Sequence, residues 1–427
     1  MEGKIPKVSV VMCCYNHEEY VAEAIESVLA QTYQDFEFLV GNNGSTDRCG
    51  EIIEQYKDRV RIITLEKNDA VKCNRMLIEA SQGEFITFIA SDDYWYPNKL
   101  EEQMRAVDRF PKCNVFFTWA EITGKELCEV TDRTRFAQNN KSRHQWIHDM
   151  IMKGTLTDAS SLLIKNDGRW QRYGDGTDRF RQLPDLMQYL NIVLEEDIYI
   201  VEKFLVKHRN HGGNISAPNE DTFIRTLNEE GYIIYDMWRR LNDEDFCKVF
   251  KEEGCVFGEK EDVMCQRILL YMRLAETKPG SGSFALGYIW SHFHDKGVSK
   301  LLEEKYQFTL HDLYEYEFKV GEGKYWYYVR QESIRREKKK DLLSIVKCID
   351  KIVAYAKDGS VREELQKLVE VTIDTLMKIM GDDLLLQECV EKQTLMKQSV
   401  ANDDVWFDMI RGLNILNEKI KTEYDLT

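Results

Sequence analysis

The residues best suited to chemistry stand at the ends of short apolar runs. Glu84 to Ala90 reads as a nearly continuous apolar strand, and Ser91-Asp92-Asp93 follows it at once. Two adjacent carboxylates there concentrate negative charge at a sheet rim, which is costly unless a cation offsets it. A hard divalent ion, Mg²⁺ or Mn²⁺, held by these carboxylates and by a diphosphate's oxygens removes that cost. The plainer alternative is that Asp92 and Asp93 cap the turn toward Pro97. Two other strand ends carry polar groups, Tyr15-Asn16 and Asn42-Asn43-Gly44-Ser45. In an open parallel sheet, ligands bind beyond the carboxyl ends of the strands. Asp185 follows Pro184 at an expected helix start. Its apolar neighbours raise a carboxyl from about 3.9 toward the range where it works as a base. The alternative is that Asp185 only caps that helix.

The elements that must position these groups alternate along the first ~215 residues. Val8–Met12, Phe36–Val40, Val60–Leu65, Glu84–Ala90 and Val115–Trp119 read as strands. Between them, apolar residues recur at helical spacing from Tyr20 to Leu29, from Ile52 to Tyr56, and from Val71 to Ala80. Pro97 opens a further helix through Arg109, with proline in its favoured first turn. Such alternation predicts an α/β fold: a mostly parallel sheet with helices on both faces. Past about Asn219 strand signals thin out. Leu342, Leu343, Val346, Ile349, Ile352 and Val353 share one helical face, as do Leu365, Leu368, Val369, Ile373 and Leu376. The expected domains are therefore residues 1–219 and a helical C-terminal domain, 220–427.

Composition bounds the function. The chain has 427 residues and a formal net charge of -16, which repels nucleic acid and makes it an unexpected partner. The run after Lys7 is too short for a signal peptide, and no stretch approaches the ~20 apolar residues of a membrane span; Phe284 to Trp290 is too short. The eleven cysteines are scattered, without the paired spacing of a zinc site. Free thiols and a cytoplasmic location are the expectation.

Four segments, in order, resemble the family 2 glycosyltransferases of the GT-A fold, which are Rossmann-like nucleotide-diphospho-sugar transferases. They are VSVVMCCYNHEEYVAEAIESVLAQTYQDFEFLVGNNGSTD, EASQGEFITFIASDDYWYPNKLEEQ, RFRQLPDLMQYL and KHRNHGGNIS. The resemblance implies inverting transfer of a sugar from a nucleotide diphosphate, first of all a UDP-sugar, to an acceptor hydroxyl. It places Cys14, Tyr15 and Asn16 in the donor site, with Tyr15 stacked on the base. Asn42 and Asn43 stand where the family usually has two aspartates reading uracil and ribose. An amide still accepts from the uracil N–H but loses the charge-assisted part of that bond.

Ala90-Ser91-Asp92 falls on the family's Asp-x-Asp motif, so the first aspartate is absent. The resemblance assigns Ser91 and Asp92 to the donor, Asp92 to the metal, and His211 to completing the metal site; Asp93 is a further candidate ligand. An imidazole favours Mn²⁺ over Mg²⁺. Asp185 matches the catalytic base, while Met187 and Tyr189 replace a usual aspartate and tryptophan. Lys72 and Arg75 fit a solvated helix face better than a phosphate site.

The helical half carries no recognisable motif. Tyr325-Trp326-Tyr327-Tyr328 and the basic residues from Arg330 to Lys340 fit a peripheral membrane contact, or more simply a solvated helix. Its apolar faces also suit homo-oligomer formation. The acceptor class implied is a carbohydrate or lipid-linked glycan, as in surface polysaccharide synthesis. The rival reading is a degenerate sugar-nucleotide-binding or scaffold protein, to which the departures at Ala90, Asn42, Asn43 and Met187 point.

Overall fold

The computed structural model describes residues 5–214, 220–320, 322–357, 362–380, 390–391 and 403–424. The strands are β1 (Val8–Cys14), β2 (Phe36–Asn43), β3 (Arg61–Leu65), β4 (Phe85–Phe88), β5 (Tyr94–Trp95), β6 (Val115–Thr123), β7 (Val130–Asp132), β8 (Leu163–Lys165) and β9 (Ile198–Arg209). Helices among and after them are α1 (Val21–Leu29), α2 (Cys49–Glu54), α3 (Ala70–Ala80), α4 (Lys99–Arg109), α5 (Arg143–Lys153), α6 (Arg169–Gly174) and α7 (Pro184–Glu195). There follow α8 (Glu220–Arg240), α9 (Asp243–Val249), α10 (Lys260–Thr277), α11 (Gly282–Phe293), α12 (Lys296–Tyr306) and α13 (Leu310–Val320). The last are α14 (Glu322–Lys357), α15 (Arg362–Met380) and α16 (Asp403–Tyr424).

One nine-stranded sheet runs β3-β2-β1-β4-β8-β6-β9-β5, with β7 paired to β6. From β3 to β4 every pairing is parallel, as the strand–helix alternation implies. Beyond β4 the sheet is mixed: β8 is antiparallel to both β4 and β6, while β6 and β9 are parallel. Alternation along β1 shows why both faces must be covered. Val8, Val10, Met12 and Cys14 enter one apolar cluster, and Val11 enters the other. This α/β sheet, with a largely helical region after it, is the expected fold class.

The compact units part at Glu322/Gly323, whereas the sequence places a boundary at 219/220. The reason lies in the core. Ile233, Met237 and Trp238 of α8, Ile268 of α10 and Leu313 of α13 share one buried cluster with Leu186 and Leu190 of α7 and Val11 of β1. Helices α8–α13 thus complete the α/β body. In the second unit, α14, α15 and α16 bury Leu342, Val346, Ile349, Val369, Ile373 and Leu413 together. Leu343 and Leu368, expected on those faces, are exposed. Side chains of Tyr325–Tyr328, Arg330 and Arg336 lie outside the described residues, as does Cys389. Ten cysteines are described, all free. No helix among the described residues is long and apolar enough to cross a membrane.

Helix α8 crosses the turn Pro279–Ser281 at backbone contact. A Cβ on Gly280 would lie 1.8 Å from the Leu227 carbonyl oxygen, and one on Gly231 would lie 2.0 Å from that of Gly280. Neither clash is with a side chain that can swing aside. Gly280→Ala should therefore lower stability by about 1–3 kcal/mol or more, read as an earlier denaturant midpoint; an unchanged midpoint would contradict this packing.

Candidate active site

The loop after β4 turns sharply, and its two aspartates go to different places. Asp92 faces the ends of β1 and β9. There His211 Nε2 lies 3.1 Å from Asp92 Oδ2 and His17 Nδ1 lies 3.9 Å from Asp92 Oδ1. Possible ligand atoms of His17, Asp92 and His211 all fall within 4.8 Å of one another. Ser91 Oγ sits 2.8 Å from His17 Nδ1, and Asn214 donates to Asp92 Oδ2 at 3.1 Å. The Tyr20 ring backs His211 at 4.7 Å between centroids. Burial, opposed by the Asp92 charge, holds His17 below the usual imidazole pKa. Two imidazoles and one carboxylate are a donor set that a divalent ion accepts, so these residues could hold a metal.

Asp93 points inward instead, forming a second group with Asp158 and His208. It accepts from Ser160 Oγ and from the Arg209 backbone N–H, the latter at 2.9 Å. His208 Nδ1 is 2.9 Å from Asp158 Oδ2 and 3.9 Å from Asp93 Oδ1. Burial pushes the Asp93 carboxyl up to about 7, against the pull of His208. Burial alone would lower His208, yet Asp93, Asp158 and Asp92 together push it up to about 10, so it stands as an imidazolium. Arg209 ties the same loop from above. Its Nε donates to the Asp92 carbonyl at 2.7 Å, and another arm pairs with Glu23. Asp93 is thus separated from the Asp92–His211 group with which it was expected to act.

Asp185 lies in the first turn of α7, behind Pro184 at the helix start. Its side chain is exposed to solvent, with the body of the protein close around it. Desolvation by the surrounding protein, reinforced by the Asp158 charge and opposed by His208, raises its carboxyl to about 6. Leu183, at the N-cap, cannot cap the helix with its side chain. From across the interface Glu229 of α8 holds the segment that leads into the helix: its carboxylate accepts from the backbone N–H groups of Arg181, Gln182 and Leu183, each at 2.8 Å.

The other sequence candidates are divided. Tyr15 is 37% exposed just past β1. Asn16 has a left-handed backbone, φ 52°, and its carboxamide oxygen accepts from the Thr46 N–H at 2.8 Å. Cys14 is buried with its Sγ 3.4 Å from that of Cys49. Asn42 accepts from the Ser45 N–H, closing its own turn. Asn43 is buried and uses both ends of its amide, donating to Asn68 and accepting from the Asp69 N–H, each at 2.8 Å. A carboxylate there could not donate. Lys72 and Arg75 are exposed, on a solvated helix face. His17, Asp158, His208 and Glu229 were not singled out from sequence. His17 and His208 lie inside the quoted motifs; Asp158 and Glu229 stand in no motif at all.

Comparisons with known proteins bear on the family of this chain. Residues 9–162 match the family described as Glycosyl transferase family 2. TuaG of Bacillus subtilis, whose name assigns it provisionally to teichuronic acid biosynthesis, is 36% identical over 219 residues, covering 50% of this chain and 82% of TuaG. An uncharacterized glycosyltransferase of Rickettsia prowazekii is 24% identical over 254 residues, 57% of this chain and 75% of that protein. Among solved structures, residues 1–349 of S. aureus TarS in complex with UDP-GlcNAc align with a TM-score of 0.45 at 17% identity, covering 70% of this chain and 91% of that one. With TuaG matched at this identity over most of its length, the chain belongs to glycosyltransferase family 2.

Proposed function

We propose that this glycosyltransferase transfers a sugar, with inversion, from a UDP-sugar to an acceptor hydroxyl, with Asp185 as base and Mn²⁺ held by His17, Asp92 and His211. The observation that carries the reading is the convergence of β1, β4 and β9 on Asp92, with His211 at 3.1 Å and His17 beside it. His17 supplies a donor atom in the cluster from which the motif's first carboxylate, replaced by Ala90, is missing. That favours a working site over a degenerate one. The imidazoles favour Mn²⁺ over Mg²⁺, and the ion, when bound, offsets charge gathering on the leaving diphosphate.

The chain's own residues do the rest. Ser91 and Asn214 fix the orientation of His17 and Asp92. Tyr15, exposed past β1, is placed to cover the base, and uridine is the nucleoside that the family resemblance implies. Asp185 takes the acceptor proton as its oxygen attacks. A base near 6 is ionised at neutral pH yet retains proton affinity. The name of TuaG leads us to propose a cell-surface polysaccharide as the acceptor class.

Two experiments test this. Mn²⁺ with UDP should raise the melting temperature of the wild type, since a ligand at 100 times its Kd adds about 2.7 kcal/mol. His17→Ala and Asp92→Asn should lose that increment, while Asp93→Asn keeps it; an increment undiminished in His17→Ala would remove the metal assignment. Transfer should rise with pH through about 6, as Asp185 becomes carboxylate, and then level off. Asp185→Asn should lower kcat by about 10²–10⁴-fold with the Mn²⁺–UDP increment intact. Near-normal transfer by that variant sinks the base.

A further inference from the structure

Across α7 from Asp185 lies a cavity of ≈710 Å³ between α6, the turn Thr177–Arg179, α7 and α8. Its volume falls within the range of small-molecule sites, about 300–1,000 Å³. Helix α7 separates it from the base. Met187, Asn191 and Glu195 line the cavity at four-residue spacing, on the face opposite that of Asp185 and Tyr189.

The lining decides what chemistry fits. Three arginines face four carboxylates, so there is no excess positive charge to hold a phosphate. The charged groups are also too many for an apolar ligand. Arg240 pairs with Asp236 at 3.0 Å and Arg172 with Glu195 at 3.2 Å, which fixes planar donors and acceptors at the wall. Among the described residues Arg179 and Asp175 form no ion pair, and both are exposed to the cavity. Phe180 and Tyr232 add an aromatic wall, with ring centroids 5.8 Å apart and Tyr232 43% exposed. Rings that pack on C–H faces, beside mixed fixed donors and acceptors of near-zero net charge, match a neutral polyhydroxylated ligand.

We propose that this cavity binds a neutral oligosaccharide, namely sugar units of the acceptor remote from the hydroxyl that is glycosylated. The word acceptor rests on the function proposed above; the carbohydrate site itself does not. Glu229 gives the link between the two. It lines the cavity, and the same carboxylate holds the three N–H groups ahead of Asp185. A sugar seated against Glu229 therefore touches the side chain that sets the start of α7.

Saturation-transfer NMR on the full chain, without donor or metal, tests the site with maltotriose, cellotriose and the trimer of N-acetylglucosamine as probes. At least one trimer should receive saturation from the wild type. Tyr232→Ala and Arg179→Ala should each weaken that binding about tenfold, with the melting increment from Mn²⁺ and UDP unchanged. If Tyr232→Ala does not fold, Arg179→Ala, an exposed position, decides. Saturation of no trimer by folded protein overturns the proposal, as does binding undiminished in the variants. Sugar binding without a UDP increment would instead sink the transferase mechanism and leave the cavity's ligand standing.

Discussion

Asp92, Asp93 and Asp158 bring three carboxylates close together at the inner end of the sheet, and each is largely buried. Unpaired charge there would be expensive, because water no longer screens it. The structure meets the constraint with one strand. Residues 208 to 211, at the end of β9, deliver an imidazolium to Asp93 and Asp158, a guanidinium to the Asp92 carbonyl, and His211 to the Asp92 carboxylate. Buried Lys99, over the Trp95 ring and bonded to Thr87, adds a basic group whose own burial, opposed by Asp158, pulls it well below its usual pKa. The mixed half of the sheet follows from this need. Strands β6 and β9 run parallel so that the end of β9 arrives beside the end of β4.

The helices after β9 serve the same site from the other side. A proline start gives α7 a fixed first turn but leaves N–H groups that Leu183 cannot cap. Glu229 of α8 accepts instead from the three N–H groups just ahead of the helix, at Arg181, Gln182 and Leu183, and α8 itself is locked against Pro279–Ser281 by contacts that admit only glycine. Asp185 is therefore positioned by residues more than forty places further along the chain. This explains why the α/β body and helices α8–α13 form one compact unit.

Much of this was legible in the sequence, and the limit has a physical origin. The parallel half of the sheet follows from local periodicity, since β1, β2 and β4 are largely buried on both faces and the helices between strands have one apolar side. The strand-end rule then points to Asp92, and the motif to His211. Local patterns say nothing about which way a side chain turns after a strand ends, so Asp93 was grouped with Asp92 although it faces Asp158. Asp158 and Glu229 act through contacts across 50 and 46 or more residues, which no spacing encodes. Strand β8, only three residues long, carries too little pattern to be seen. The boundary at 219/220 marked a change of secondary structure, but the core continues across it. Leu343 and Leu368 show the converse error, apolar residues at helical spacing that the bundle leaves outside.

The central claim is that the charge of Asp92 is offset by a divalent ion shared with two imidazoles. Electron spin-echo spectroscopy of Mn²⁺ bound to the protein tests it directly, because a coordinated imidazole modulates the echo through its ligating ¹⁴N. The account predicts modulation from two histidine nitrogens, reduced to one in His17→Ala and likewise in His211→Ala. Bound Mn²⁺ with no nitrogen modulation, or modulation unaltered in both variants, would contradict it.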